Sequence, residues 1–374
     1  MKLHRTNRLR TLSVGALAVT SALVLSACGT DENTGNGGGK TDAASNINCE
    51  GKGNLLASGS SAQKNAMDVW VQKYQQACKE TQVNYKATGS GAGIQEFLQG
   101  KTAFAGSDSA LKEDEIKDSQ KVCKGGGKGI NLPMVGGPVA VGYNLSGVDD
   151  LVLDAPTLAK IFDSKITKWD DTAIKKLNPD TKLPSTKIQA FHRSDESGTT
   201  DNFTDYLNTA APDDWKYEAS KAWKGKGGQS ADGSSGVASN VKQTDGAIGY
   251  FELSYATGSD LNTVKLDTGA SKPVEATVEN SSAAIGAGKI VGKEGDLAME
   301  LDYATKAEGA YPIVLVTYEI VCDKGNKADT LEATKSFLTY AASEDGQKAL
   351  EDIDYAPMPE EIITQVRETV AKIS

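Results

Sequence analysis

The 374-residue sequence predicts an α/β protein built as two domains. Three observations carry this. One hydrophobic core stops growing at roughly 250–300 residues, so a chain of this length divides. Short apolar runs that break at Gly, Ser and Thr alternate with segments of helical apolar spacing, the pattern of a largely parallel sheet flanked by helices. Two longer apolar runs, near 135–144 and 312–322, are suited to cross from one domain to the other as hinge strands. Composition narrows the class. With 39% hydrophobic and 24% charged residues the chain is neither disordered throughout nor multi-spanning in a membrane. Its 50 acidic residues outnumber 40 basic ones, which argues against nucleic acid as a partner. The 2 histidines, one at position 4, nearly exclude a His-ligated metal, and no cofactor motif stands out.

The N-terminus reads as an address. Lys2, Arg5, Arg8 and Arg10 precede an apolar run from Leu12 to Leu25, too short for a comfortable membrane span. Leu25-Ser26-Ala27-Cys28 looks like the bacterial lipobox, in which a peptidase cuts before the Cys and the thiol receives a diacylglycerol. The expectation is a signal peptide at 1–27, lipidation with palmitate-type chains on Cys28, and a flexible Gly/Asn-rich tether over 28–48 reaching roughly 25 Å. Removing 1–27 takes four positive charges and no negative ones, moving the net charge from −10 to −14. The body, 49–374, then lies on the extracytoplasmic face of the cell membrane. Its four cysteines suit an oxidising location and allow three pairings. Cys49 precedes the first strand and Cys78 ends the helix running back beside it, which favours Cys49–Cys78 and, by elimination, Cys123–Cys322.

Along the body, Leu55-Leu56-Ala57 reads as a strand, followed by a helix with Ala62, Ala66, Val69, Trp70, Tyr74 and Ala77 on one face. Residues 83–87 form a second strand that breaks at the turn 89–93, before a helix carrying Ile94, Phe97 and Leu98. A third strand, 102–106, ends at Ser107-Asp108-Ser109 and leads to a polar helix at 111–121. The Gly/Lys segment 124–129 is a turn, lacking the spacing of a phosphate loop. Helices follow within 151–178, then a strand at 187–193, a helix with Phe203, Tyr206 and Leu207, a Gly/Ser-rich stretch at 225–239 and a strand at 246–251. Helices at 328–342 and 361–373 close the chain. The two crossing runs make the first domain discontinuous: 49–139 and 315–374, with 140–314 inserted between. In such sheets ligands bind beyond the carboxyl ends of the strands, here in the cleft between domains.

Three strand–turn–helix junctions share one chemistry: Ser60-Ser61, Gly89-Ser90-Gly91-Ala92-Gly93 and Ser197-Gly198-Thr199. Each puts hydroxyls and unencumbered N–H groups at a helix N-terminus, a ready anion site. One alone is explained by ordinary capping; three on strands from both domains point to a shared anion. Arg193, at a strand end, has the fork to hold two oxygens of a tetrahedral anion, or to pair with its own neighbours Asp195 and Glu196. Asp108 at another strand end should repel an anion unless the ligand brings a proton to donate. Phosphate near neutral pH still carries one and sulfate does not, so the carboxylate discriminates by repulsion.

Together these residues resemble the phosphate-binding proteins of the bacterial phosphate-specific ABC transporter (PstS-like). The likeness rests on Ala57-Ser58-Gly59-Ser60-Ser61, the 89–93 turn, Gly106-Ser107-Asp108-Ser109-Ala110-Leu111, Arg193-Ser194-Asp195-Glu196-Ser197-Gly198-Thr199, and the segments 151–171, 173–179, 246–252 and 354–359. It implies a two-domain periplasmic-binding-protein-like fold of type II, with mixed sheets flanked by helices. It also implies inorganic phosphate as ligand at Ser60, Ser61, Ser90, Asp108, Arg193, Ser197, Gly198 and Thr199, with Asp195 orienting Arg193. The implied partners are the transmembrane permease subunits of a phosphate ABC transporter with its cytoplasmic ATPase. Ser61 stands where the family often has Thr, and Ala62 where an aromatic is common; neither change removes a donor type.

Two other readings compete. Ser61-Ala62-Gln63-Lys64 matches the S-x-x-K of penicillin-binding enzymes, but so does Ser109-Ala110-Leu111-Lys112, and no K-T-G or S-D-N accompanies either. A secreted phosphate-ester hydrolase of Ser-His-Asp type would need His192, whose side chain should point away from that of Arg193 on the same strand. A binding protein for sulfate or molybdate is the nearer rival. The expectation is a non-enzymatic carrier whose two domains close about a hinge on one dehydrated phosphate.

Overall fold

The computed structural model describes residues 47–374. The expected signal peptide, Cys28 and the tether up to residue 46 lie outside the described residues. The first part of the body alternates β1 (Gly53–Gly59), α1 (Lys64–Ala77), β2 (Thr81–Lys86), α2 (Ser90–Leu98), β3 (Phe104–Ser107) and α3 (Glu113–Ser119). β1 pairs in parallel with β2 on one side and β3 on the other. Helix α1 covers this sheet because Ala66, Met67, Trp70 and Tyr74 recur on one face and are buried. The Trp70 indole N–H donates to the Gly346 carbonyl at 2.8 Å, so burying that ring leaves no orphan donor.

The strand β4 (Gly129–Asn144) is 16 residues long and almost wholly buried. The remaining elements are β5 (Val152–Asp154), α4 (Ala155–Phe162), α5 (Thr172–Leu177), β6 (Gln189–Arg193), α6 (Gly198–Ala210), β7 (Gln229–Ala231), α7 (Gly233–Gln243), β8 (Ala247–Glu252), α8 (Leu253–Gly258), β9 (Asn262–Thr263), β10 (Lys265–Asp267), α9 (Val278–Gly286), β11 (Lys289–Ile290), β12 (Met299–Glu300), β13 (Val314–Cys322), α10 (Leu331–Ala341), α11 (Glu344–Lys348) and α12 (Glu360–Lys372). The first half of β4, Gly129–Pro138, pairs antiparallel with β13, and Val139–Asn144 pairs antiparallel with β8. One strand therefore joins two sheet halves in the order β2-β1-β3-β13-β4-β8-β6-β7. The sheet is mixed: antiparallel around β4 and parallel at both ends, where β6 runs with β8 and β7.

Several segments differ from the sequence reading. β13, part of the second crossing run, pairs with β3 and β4. Just before it, the Val139 N–H donates to the Ile313 carbonyl at 2.7 Å and the Tyr311 hydroxyl to the Val139 carbonyl at 3.0 Å. The Gly/Ser-rich stretch 225–239, given no element in the sequence, holds β7 and the start of α7. α2 begins at Ser90 rather than after Gly93, because Gly89 makes the whole reversal at φ 89°, a conformation costly for any residue with a Cβ. Disulfides join Cys49 to Cys78 (Cα–Cα 5.3 Å) and Cys123 to Cys322 (Cα–Cα 5.4 Å). Both lie at the edge of the first sheet half where β1 and β4 begin, opposite the strand ends that carry Ser60 and Asp108. Among the described residues no helix is long and apolar enough to cross a membrane.

Candidate functional site

The parallel strands β1 and β3 end in Ser60-Ser61 and Asp108, while β6 and β7 end in Arg193 and Asp232-Gly233-Ser234. These ends face each other. Asp108 is 3% exposed and takes hydrogen bonds from both sides. The Thr317 hydroxyl donates to its Oδ1 at 2.8 Å and the Thr199 hydroxyl to its Oδ2 at 3.2 Å. Its backbone N–H donates to Ser90 Oγ at 3.1 Å. The Asn202 amide donates both to the Asp108 carbonyl at 2.8 Å and to the Gly198 carbonyl at 2.7 Å. Burial raises the Asp108 pKa above the usual carboxylate value, opposed by the hydroxyls of Ser60, Thr317 and Thr199 and by the charge of Arg193.

Arg193 is 2% exposed. Its guanidinium is forked by Asp195, with Nε to Oδ1 at 2.7 Å and Nη2 to Oδ2, while Nη1 reaches Ser234 Oγ at 3.3 Å. Asp195 also accepts the Gly233 N–H at 3.2 Å, so it fixes both the guanidinium and the start of α7. The buried charge is thus paired, as a desolvated guanidinium must be. Behind it, the Arg193 N–H donates to the Tyr250 hydroxyl at 3.3 Å, and that phenol is pushed up to about 12, chiefly by burial. His192, next in the chain, stacks on Trp223 with ring centroids 4.7 Å apart and takes no part in this cluster.

The junctions meet around one point. Ser61 Oγ accepts the Ser234 N–H at 3.0 Å and lies 3.2 Å from Ser234 Oγ. The Ser61 carbonyl accepts the Tyr255 hydroxyl at 2.6 Å. Gly198 opens α6 so close to the opposite strand ends that an added Cβ would stand 2.6 Å from Ser90 Oγ and 2.7 Å from Asp108 Cβ. Ser197 caps the same helix, accepting the Thr200 N–H at 3.2 Å. The first N–H groups of α2 and α6 have no intrahelical acceptor and converge here with the positive ends of two helix dipoles. Ser60 is the exception among the predicted residues. Its N–H donates to the Gly106 carbonyl at 2.8 Å, its Oγ takes the N–H groups of Ala62 at 3.0 Å and Gln63 at 3.4 Å, and its hydroxyl hydrogen-bonds Asp108, so its groups are committed to shaping the turn. A cavity of about 1070 Å³ opens beside the cluster, with Asp108, Ser109, Asp201, Asn202 and Tyr303 in its wall.

Ser234, Thr317 and Asn202 escaped the sequence reading. Ser234 had a usable signal: Asp232-Gly233-Ser234-Ser235 is a fourth strand–turn–helix junction of the same kind. Thr317 lies in an apolar strand and Asn202 inside a helix, with nothing local to mark either. Among the described residues no group of three or more His, Cys, Asp or Glu side chains is placed to hold a metal ion.

A family model described as the PBP superfamily domain matches residues 39–345, so fold and site define a two-domain binding protein of that superfamily, of the type II arrangement. Phosphate-binding protein PstS 3 of Mycobacterium tuberculosis is 44% identical over 378 residues, covering 100% of both chains. A phosphate-binding protein from Stenotrophomonas maltophilia superposes with a TM-score of 0.65 at 19% identity, over 86% of this chain and 96% of that one. An ABC-type phosphate transport receptor from Vibrio cholerae gives a TM-score of 0.53 at 19% identity, over 82% and 100%. The chain belongs to the PstS family of phosphate-binding proteins.

Proposed function

We propose that this chain is an extracytoplasmic substrate-binding protein that captures inorganic phosphate and delivers it to an ABC-type import permease, without chemistry of its own. The observation that carries the choice of ligand is Asp108. A buried carboxylate set among hydroxyls, a paired guanidinium and helix N-termini is a penalty for any fully deprotonated anion, and an acceptor for one that still has a proton. In this reading Ser61, Ser90, Arg193, Ser197, Gly198 and Thr199 donate to the phosphate oxygens, Asp108 accepts its proton, and Ser60 shapes the turn. Asp195 keeps Arg193 in place and reduces the charge the ligand meets.

The domains in this reading are 49–139 with 315–374, and 140–314, closing about the β4 passage. Cys28 carries the lipid after loss of 1–27, and 28–48 is the tether. Isothermal titration with phosphate and with sulfate tests the ligand: binding of phosphate that an equal concentration of sulfate displaces defeats the role given to Asp108. Release of the Cys28→Ser protein from the membrane fraction tests the anchor; retention defeats it.

A further inference from the structure

Behind the Ser60-Ser61 turn lies a second buried carboxyl. Glu319 on β13 is 0% exposed, and neither Oε1 nor Oε2 has a hydrogen-bond partner among the described residues. It pairs in register with Gly106 of β3, so the two share a face of the sheet. The space left by the missing Gly106 side chain is filled by the Gln63 amide and the Tyr85 hydroxyl. Gln63 is itself 0% exposed, and its Oε1 is unpartnered as well. Three acceptor atoms therefore share a buried pocket in which the donor near Glu319 is the Gln63 amide, which the Tyr85 hydroxyl already takes. An orphaned buried acceptor is costly, and an ionised carboxylate there costs far more. A single proton on Glu319 supplies the missing donor.

We propose that Glu319 is held as a neutral acid that donates its proton to Gln63 Oε1, and that it acts as a positioning residue for the anion turn. The rest of the relay is in place: Gln63 Nε2 donates to the Tyr85 hydroxyl at 3.0 Å, and Tyr85 donates to the Ser60 carbonyl at 2.8 Å. The chain of hydrogen bonds runs from β13 through α1 and β2 to the residue before Ser61. Neutrality has a second consequence. Asp108 and Tyr85 are the titratable groups that act on Glu319, and Asp108 repels any charge placed there. With Glu319 neutral, Asp108 is the one negative group of this pair that a bound anion meets.

Burial raises the Glu319 pKa well above the usual carboxylate value. A raised folded-state pKa gives stability that is present below the unfolded value and lost as pH rises toward the folded one. Glu319→Gln, which keeps a donor and cannot ionise, should therefore raise the melting temperature by about 2–4 °C at pH 8 and hardly at all at pH 4.5. It should remove one carboxylic-acid carbonyl band from the infrared spectrum at pH 7, and bind phosphate within about threefold of the unmodified chain. Glu319→Met, which has no donor, should weaken phosphate binding about tenfold without lowering the melting temperature at pH 8. The binding arm rests on the phosphate reading; the thermal and infrared arms do not, so a chain that binds no phosphate would sink that reading while these still decide the state of Glu319. An unchanged infrared spectrum, or equal thermal shifts at both pH values, overturns the proposal. If neither variant folds, a ¹³C titration of the glutamate carboxyls in the unmodified chain decides. Glu252 and Glu319 should both stay protonated beyond pH 7, and a single such glutamate overturns it.

Discussion

Gly198→Ala isolates the closeness of approach at the site from every other contribution. Gly198 opens α6 with no positive φ, so alanine suits its backbone and favours the helix by up to about 1 kcal/mol. The obstacle is across the cleft, where the new Cβ would stand 2.6 Å from Ser90 Oγ, 2.7 Å from Asp108 Cβ and 2.9 Å from the Asp108 N. Ordinary contact begins near 3.4 Å, so the facing ends must part by about 0.8 Å. Overpacking of this kind costs about 1–3 kcal/mol, a factor of roughly 5 to 150 in a binding constant. The cost falls on the contacts between Gly198-Thr199 and Ser90-Asp108, not on either sheet half. Isothermal titration should therefore show phosphate binding weakened by that factor, while thermal unfolding without phosphate is unchanged or slightly higher. Phosphate affinity within twofold of the unmodified chain would refute the argument, because the closed geometry would not then be the binding geometry.

Arg193→Ala should abolish measurable phosphate binding and also destabilise the fold by about 3–5 kcal/mol, since it strands the largely buried Asp195; thermal unfolding and titration read both losses. Asp108→Asn should lower phosphate affinity less than it lowers the preference for phosphate over sulfate, measured by competition. The weakening of phosphate binding on the acid side should begin above the usual carboxylate range, since burial raises the Asp108 pKa, and should be lost in Asp108→Asn. Glu252, buried at the end of β8 and pushed up to about 8 chiefly by that burial, should keep its proton in the folded chain up to about pH 8, so stability falls between pH 4.5 and 8 as the unfolded chain ionises there. Glu252→Gln should flatten the fall of melting temperature over that window. Reduction of both disulfides should lower the melting temperature, with Cys123–Cys322 the larger contributor at about 5 kcal/mol because it spans 199 residues, and should leave phosphate affinity unchanged.

What could be read from the sequence follows from how local each signal is. The run Leu55–Gly59 and the helix behind Ser60 are set by patterning within twenty residues, and so is the turn at Gly89, where a glycine is needed for φ. Arg193 and Asp195 are two residues apart, so their pairing was open to a local reading. Thr317 was not. It reaches Asp108 because β13 runs antiparallel beside β3, while the ladder of β13 with β4 on its other side shifts register between Thr317 and Tyr318. Nothing in an apolar strand buried on both faces says which polar residue will meet a ligand group 209 residues away. Ser234 was hidden differently. A strand of three residues, β7, has too few positions to show alternation, so only a Gly/Ser-rich composition marks the place where geometry makes a fourth anion-type junction. Asn202 joins two carbonyls from opposite sides of the cleft, a role that exists only once the tertiary structure does.

The covalent bond between Cys49 and Cys78 has a mechanical meaning. Tension applied to the chain ahead of residue 47 meets this crosslink within three residues and is handed to the end of α1. A second hold lies beside it, where the Ser336 hydroxyl of α10 donates to the Asn48 carbonyl at 2.6 Å. β1 starts only at Gly53, beyond both anchor points, and is spared the pull. The far end of that strand carries the Ser60-Ser61 turn, so a drag on the N-terminal segment loads two helices and leaves the ligand-facing turn unstressed.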